Sequence, residues 1–238
     1  MTGTASLTLY ELAGTDPALR FSPHCWKVRM ALAHKGLEAE GLPWRFTEKD
    51  RIAFSGQGLV PVLMDGATVV SDSWRIALHL DERFPDRPAL FGSPEAVPLA
   101  RFVNGWADTT LMLAIARLIL TDIADLLGPE DLAYFRRTRE NRFGMTLEAV
   151  VADRPAHLAR LREALAPLRA LLKGQDFIAG ATPAYADHCV FGMFMWARCA
   201  SPVDLLAAED VDDPVVAWRE RMLDAFGGLA RRAPARAA

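Results

Sequence analysis

The residues best placed to do chemistry are Ser22-Pro23-His24-Cys25-Trp26-Lys27-Val28-Arg29. A hydroxyl residue precedes a proline, and Gly36 follows Lys35 some three turns later. An N-cap hydroxyl, Pro at the first helical position and Gly just past the end punctuate a helix over 22–35. Its start carries about half a positive charge and unpaired N–H groups. That suits an anion, and a thiolate is one. A thiol substrate placed there can accept a hydrogen bond from Ser22, which puts the chemistry in the first turn of the first helix. His24 in that turn reads as exposed.

Two further pairs follow. Val60-Pro61 starts an apolar strand. A cis bond there would turn the Val60 N–H and C=O outward to pair with a peptide-like ligand as an added strand; the plain alternative is an edge-strand proline. Asp72-Ser73 opens another helix. The pair makes a good cap. It can also hold a ligand bearing a carboxylate and an ammonium, the carboxylate at the helix N-terminus with Ser73 and the ammonium on Asp72.

The elements that must position these residues alternate at first. Leu7–Tyr10 reads as a strand, 22–35 as a helix, and 41–46 as a strand that Pro43 marks as an edge. Residues 48–58 read as irregular. Residues 60–64 and 68–71 form a hairpin about an Asp65-Gly66 turn. A helix from Asp72-Ser73 ends near Phe84-Pro85. The order is β-α-β-β-β-α. After Pro85-Asp86-Arg87-Pro88 the pattern turns helical throughout. Leu158, Leu161, Leu165, Leu168 and Leu172 mark one helix with a single apolar stripe. Phe102, Val103, Trp106, Thr110 and Leu113 mark a second. Phe135, Arg139, Arg142 and Phe143 lie on a third, more polar one. Residues 185–199 are apolar nearly all round, a buried central helix, so Met193, Met195 and Trp196 read as core. A last helix runs from Pro214 to Phe226. His79 reads as structural. Residues 1–86 thus form an α/β unit, 93–230 an all-helical unit, and 231–238 a loose tail.

With 238 residues, 51% of them hydrophobic and 24% charged, the chain can bury a sizeable core. A net charge of -3 argues against nucleic acid or an anionic membrane as partner. Residues 1–14 do not read as a signal peptide. The most apolar stretch, 111–120, contains Arg117 and is too short to span a bilayer. Cys25, Cys189 and Cys199 show no metal-ligand spacing. A cytoplasmic location is expected.

Ser22 at a helix start, then Val60-Pro61, then Asp72-Ser73, with a change from α/β to helical soon after, resembles the glutathione transferases over nearly the whole chain. The resemblance implies a thioredoxin-like half that binds glutathione as cosubstrate and an all-α half that supplies most of the pocket for a small hydrophobic electrophile. It implies Ser22 as the thiolate-stabilising residue, Val60 as backbone clamp with Pro61 cis, and Asp72 and Ser73 as holders of the γ-glutamyl group. It places the pocket near the helix of Trp106, Thr110 and Leu113, and implies a homodimer. Phe21-Ser22-Pro23-His24-Cys25-Trp26 and Asp72-Ser73-Trp74 are similar to a bacterial β-etherase-like subgroup acting on aryl ethers. Gln57-Gly58-Leu59-Val60-Pro61 and the run from Trp26 to Leu32 resemble zeta-like members, which include isomerases. A non-catalytic ligand-binding protein is the other alternative.

The departures are specific. Zeta-like members carry Ser-Ser-Cys at the helix start, where this chain has Ser22-Pro23-His24. Omega-like members have Cys in place of Ser22, so a mixed disulfide through that position is excluded, and Cys25 lacks its Cys-x-x-Cys partner. Leu59 stands where many members hold the glycine carboxylate with Lys, Gln or Arg, leaving Gln57 or Lys49 for that role. Ala184 stands where the family caps its later helix with Ser or Thr, so Asp187 keeps half of a capping box and reads as structural. Tyr10 ends the first strand, where some classes keep a catalytic Tyr; Ser22 is preferred because a helix dipole stands behind it.

Overall fold

The computed structural model describes residues 6–206 and 212–236. The β-α-β-β-β-α order forms as expected. A four-stranded sheet has the order β2-β1-β3-β4, with β1 (Leu7–Leu12) parallel to β2 (Ala39–Trp44) and antiparallel to β3 (Val62–Asp65), which pairs with β4 (Thr68–Ser71). Pro43 lies in β2, an edge strand, where its missing N–H costs no ladder bond. The hairpin loop is Gly66-Ala67 rather than Asp65-Gly66, because Asp65 still pairs with Thr68 and Gly66 takes the left-handed turn, φ 59°. Strand β1 extends past Tyr10. Glu11 is buried in it and faces the Arg29 and Arg20 guanidiniums at 3.3 and 3.6 Å. An apolar run stops at a charge; a buried ion pair lets the strand continue.

Helix α1 (Pro23–His34) and helix α2 (Ser73–Arg83) cover the sheet, with Leu9, Val28, Leu63, Ile76 and Leu80 in one apolar cluster. A second, larger cluster includes Trp26, Met30 and Trp44 and continues into the helical half. A short 3-10 helix, Lys49–Ser55, fills part of the loop read as irregular.

The helical half starts with α3 (Ala96–Trp106), a π-helical turn over Ala107–Leu111 and α4 (Met112–Ala124), which run on without a break in helical geometry. Then come α5 (Pro129–Phe143), α6 (Leu147–Val151), α7 (Arg154–Ala164), α8 (Ala166–Leu172), α9 (Tyr185–Ala200) and α10 (Pro214–Arg232). The leucine stripe read as one helix is two, α7 and α8. Pro167 in the first turn of α8 has no N–H to continue the ladder, while Leu161, Leu165, Leu168 and Leu172 still share one buried face. Helix α9 is buried nearly all round, as expected. Its start is fixed by Asp187, whose carboxylate accepts from the N–H groups of Ala184, Ile178 and Ala179 and from Trp218 Nε1. His79 pairs with Asp65 at 3.0 Å, a structural contact.

Helix α10 loses helical geometry at Ala225–Gly228 and resumes to Arg232. Residues 231–236 are therefore not loose. Arg231 and Arg232 are helical, and the Arg236 guanidinium donates to Asp122 O at 2.7 Å and pairs with Asp125 at 3.1 Å. Residues 237–238 of the expected tail lie outside the described residues, as do 1–5 of the first unit. Among the described residues, no helix is long and apolar enough to cross a membrane.

Candidate active site

Ser22 caps α1 from an extended conformation. Its Oγ accepts from the Cys25 N–H at 3.3 Å, and Pro23 occupies the first turn. That bond uses a lone pair and leaves the O–H free. Among the described residues the O–H meets no oxygen or nitrogen acceptor, although Ser22 is buried; the Cys25 thiol is the one group that feels it. The segment leading in is pinned by Trp26 Nε1, which donates to Arg20 O at 2.8 Å. Cys25 points into the core, and burial, reinforced by Glu11, pushes its thiol up to about 12. A thiol so raised is inert to exchange at neutral pH.

The first turn of α1 is held from behind by α9 and α3. Gly192 of α9 lies so close that a Cβ there would sit 2.5 Å from Pro23 O. Lys27 is fully buried, donating to Asp108 at 2.5 Å and to Asn104 Oδ1 at 2.9 Å. Asp108 lies in the π-helical turn and also accepts from Asn104 Nδ2 at 2.9 Å. Such turns cluster at functional sites; this one brings a carboxylate to a buried ammonium beside Ser22. His24 Nδ1 lies 3.8 Å from Asp108. Burial first, then the Lys27 ammonium, pushes the His24 imidazole down to about 4, so it is neutral at pH 7.

The Val60-Pro61 bond is cis. Val60 and the exposed Leu59 line the cavity that contains Ser22. Asp72 has φ 78°, a conformation that costs a non-glycine residue about 1–3 kcal/mol. Its Oδ1 accepts from the N–H groups of Trp74 and Arg75, both at 3.1 Å. Ser73 O accepts from Tyr185 Oη at 2.7 Å, which ties the start of α2 to α9. Asp72 and Ser73 do not line the cavity, though the Asp72 charge acts on His24. Gln57 does not line it either. Lys49 donates to Gly58 O and lies over the Trp44 ring at 4.7 Å, beside the loop that leads to Val60.

The cavity holds about 350 Å³ and has walls from both halves. Leu12, Phe21, Trp44 and Phe46 come from the first; Met112, Leu113, Ala116 and Leu120 of α4, Phe135, Arg139, Arg142 and Phe143 of α5, and Trp196 of α9 come from the second. Of the residues expected there only Leu113 lines it; Trp106 and Thr110 do not. The π-helical turn adds a residue between them, so a face read at constant helical period drifts. Phe102, on that supposed buried stripe, is 75% exposed. His24, read as exposed, lines the cavity, and so does Trp196, read as core; Met193 and Met195 are buried. Tyr10 packs against Phe54 at 5.5 Å and lies outside it. Sequence reasoning missed Trp44, Phe46, Arg139 and Arg142 as lining residues. The 135, 139, 142, 143 spacing was a usable sign of one α5 face.

A hydroxyl with a free O–H at a helix N-terminus, opening on a mostly apolar cavity between an α/β and a helical half, is built to hold an anion against an apolar partner. Residues 17–88 match the glutathione S-transferase N-terminal domain, and residues 98–228 match the glutathione S-transferase C-terminal domain. The chain belongs to the glutathione S-transferase family. It is 39% identical over 69 residues to glutathione S-transferase Z1 of Arabidopsis thaliana, covering 27% of this chain and 31% of that one. It is 31% identical over 138 residues to the glutathione S-transferase-like protein ustS of Aspergillus flavus, covering 53% and 50%. These matches span a third to a half of those relatives' own lengths. Among solved structures, a glutathione S-transferase of Ceriporiopsis subvermispora in complex with glutathione superposes with TM-score 0.82 at 23% identity, over 93% of this chain and 96% of that one. A glutathione transferase of Phanerochaete chrysosporium, GSTFuA2, gives 0.75 at 25% identity over 94% and 93%. The fold is thus the thioredoxin-like domain followed by the helical domain of this family.

Proposed function

We infer that the protein transfers glutathione to a hydrophobic, aromatic electrophile. The observation that carries this reading is Ser22, whose unpaired O–H stands at the start of α1 on the wall of the cavity. The cosubstrate is glutathione. Ser22 donates to its sulfur, Val60 pairs with its cysteinyl backbone, and Asp72 and Ser73 take the γ-glutamyl ammonium and carboxylate. Lys49, beside the Val60 loop, takes the glycine carboxylate in preference to Gln57, because its ammonium already lies against Gly58 O.

The energetics suffice without a general base. A free thiol with pKa ~8.5 is a few per cent ionised at neutral pH. Lowering it by ~2 units takes roughly 2.7 kcal/mol. One hydrogen bond to a charged group gives ~1.5–3 kcal/mol, and the helix N-terminus adds ~0.3–1 kcal/mol. The thiolate attacks the electrophilic carbon, and the leaving group departs with the bonding pair. Holding both reactants in one cavity supplies much of the remaining acceleration. The β-etherase-like loop at Phe21–Trp26 makes an aryl ether a reasonable electrophile class.

Stopped-flow absorbance of bound glutathione tests the reading: a thiol that ionises as it does free in solution rejects it. Turnover of an aryl halide or aryl ether above the uncatalysed rate rejects a merely ligand-holding role. The 36% identity over 70 residues to a protein of Euphorbia esula named glutathione S-transferase zeta class favours a second reading, a glutathione-dependent isomerase. Product analysis separates the two, since an isomerase returns free glutathione and no conjugate. A homodimer is the proposed assembly. Exposed Leu99 and Phe102 on α3, Leu78 on α2 and Val69 on β4 support it as apolar surface needing cover. Light scattering at the mass of one chain would contradict it.

A further inference from the structure

The cavity carries a charge that its apolar walls do not require. Of its lining residues two are cationic, Arg139 and Arg142, and none is Asp or Glu, in a chain whose net charge is -3. Arg139 is wedged between rings. Its guanidinium lies 5.3 Å from the Phe46 centroid and 4.9 Å from that of Phe135, which fixes its plane in the wall. It donates one hydrogen bond, to Thr138 Oγ1 at 2.9 Å. Among the described residues neither arginine forms an ion pair, although Arg136 on the same helix pairs with Glu140 and Glu148. Burial, with Arg142 as a like-charged neighbour, lowers the pKa of Arg139 from its ordinary value; it remains a cation whose solvation is poor. A partly desolvated guanidinium on an aromatic wall, with a second, exposed one beside it and no carboxylate on either, forms a receptor lacking its anion.

We propose that the electrophile taken by this cavity is an aromatic carboxylate, its ring among Trp44, Phe46 and Phe135 and its carboxylate on Arg139 and Arg142. The proposal rests on the transferase reading and narrows its substrate class. The two arginines sit on α5, whereas the residues assigned to glutathione sit at the starts of α1 and α2, in the 3-10 helix and before β3. Lys49 already serves the glycine carboxylate from its place over the Tyr134 ring, so the anion the arginines await is assigned to the second substrate. A cavity of about 350 Å³ suits a one- or two-ring molecule. In the transfer the carboxylate is a spectator. The sulfur–carbon bond forms at the activated ring carbon, the bond to the leaving group breaks, and that group takes the electron pair.

The test has a binding arm and a turnover arm. In the first, calorimetry without glutathione compares naphthalene-2-carboxylate with naphthalene-2-carboxamide on the wild type, Arg139→Gln and Arg142→Gln. The carboxylate should bind about tenfold more tightly to the wild type, the scale of one charge-assisted hydrogen bond. Arg139→Gln should bring the two ligands to within about twofold, with the carboxamide unchanged. Arg142, exposed at the rim, is a variant expected to fold even if Arg139→Gln does not, and Arg142→Gln should lose part of the preference. Equal binding of the pair to the wild type, or a preference that survives both variants, overturns the proposal. So does displacement of the carboxylate by S-methylglutathione, since the arginines would then serve the tripeptide. In the second arm, glutathione reacts with 4-fluoro-3-nitrobenzoate or its methyl ester, each rate divided by its uncatalysed rate. A higher enhancement for the acid, lost in Arg142→Gln, supports the proposal; a higher one for the ester overturns it. If neither compound turns over while the binding preference stands, the transferase reading falls, and the arginine pair remains an anion site.

Discussion

Replacing Ser22 by Ala removes the side-chain O–H at the start of α1, which meets no oxygen or nitrogen acceptor among the described residues. Two effects follow, and they separate. The first is on the bound thiol. Loss of a hydrogen bond to a charged group, ~1.5–3 kcal/mol, raises the thiol pKa by about 1–2 units at 1.36 kcal/mol per unit. The Cys25 N–H, released from Ser22 Oγ, can turn to the sulfur and favours the lower end of that range. With the wild-type thiol near ~6.5 and the variant near ~7.5–8.5, the thiolate fraction at pH 7 falls by about threefold to twenty-fivefold, and activity recovers as pH is raised. The second effect is on the helix cap, where Ala in place of Ser costs about 1 kcal/mol. That lowers Tm by about 2–4 °C in a chain of this size. Ser22→Gly divides the two, because Gly at an N-cap costs only a few tenths of a kcal/mol while lacking the hydroxyl. The assay is thiolate absorbance of bound glutathione against pH, with calorimetric melting on the same samples. If Ser22→Gly leaves the bound thiol pKa where the wild type has it, the hydroxyl does not stabilise the sulfur.

Three other outcomes can be checked. Asp72→Ala should weaken glutathione binding and lose about 1 kcal/mol of stability with the α2 cap. Asp72→Gly should weaken binding equally but cost less stability, because glycine takes φ 78° without strain; urea titration and the KM for glutathione read the two effects. Asp108→Ala should cost about 3 kcal/mol in urea unfolding by leaving the Lys27 ammonium buried without its carboxylate, and Lys27→Met with Asp108→Leu should be less damaging than either alone. The third concerns His24. Its folded pKa is depressed to about 4, so the folded state binds fewer protons than the unfolded chain between that value and about 6.5. Its stability contribution is full above about pH 6.5 and is lost as pH falls towards 4. An NMR titration showing the ring of the half-buried His24 side chain protonating near pH 6.5 would contradict the depressed value.

Local signals decided a large share of this protein. Ser22-Pro23, Asp72-Ser73, Pro43 and Pro85 act through backbone geometry and hydrogen bonds within a few residues, so their consequences are legible in the sequence: helix starts, an edge strand, a boundary. The buried character of residues 185–199 is likewise a property of composition along one helix. The cavity was decided elsewhere. Phe46 meets Arg139 and Phe135 only because the segment after a strand end and a helix some ninety residues later are packed against each other. The burial of Lys27 within α1 depends on Asp108, which reaches it from 81 positions away. The π-helical turn that delivers Asp108 has no local sequence mark, and it shifts the helical face on which Trp106 and Thr110 had been placed. Caps and turns are paid for by neighbours in sequence; pocket walls and buried charges depend on neighbours in space, which are chosen only when the two halves pack.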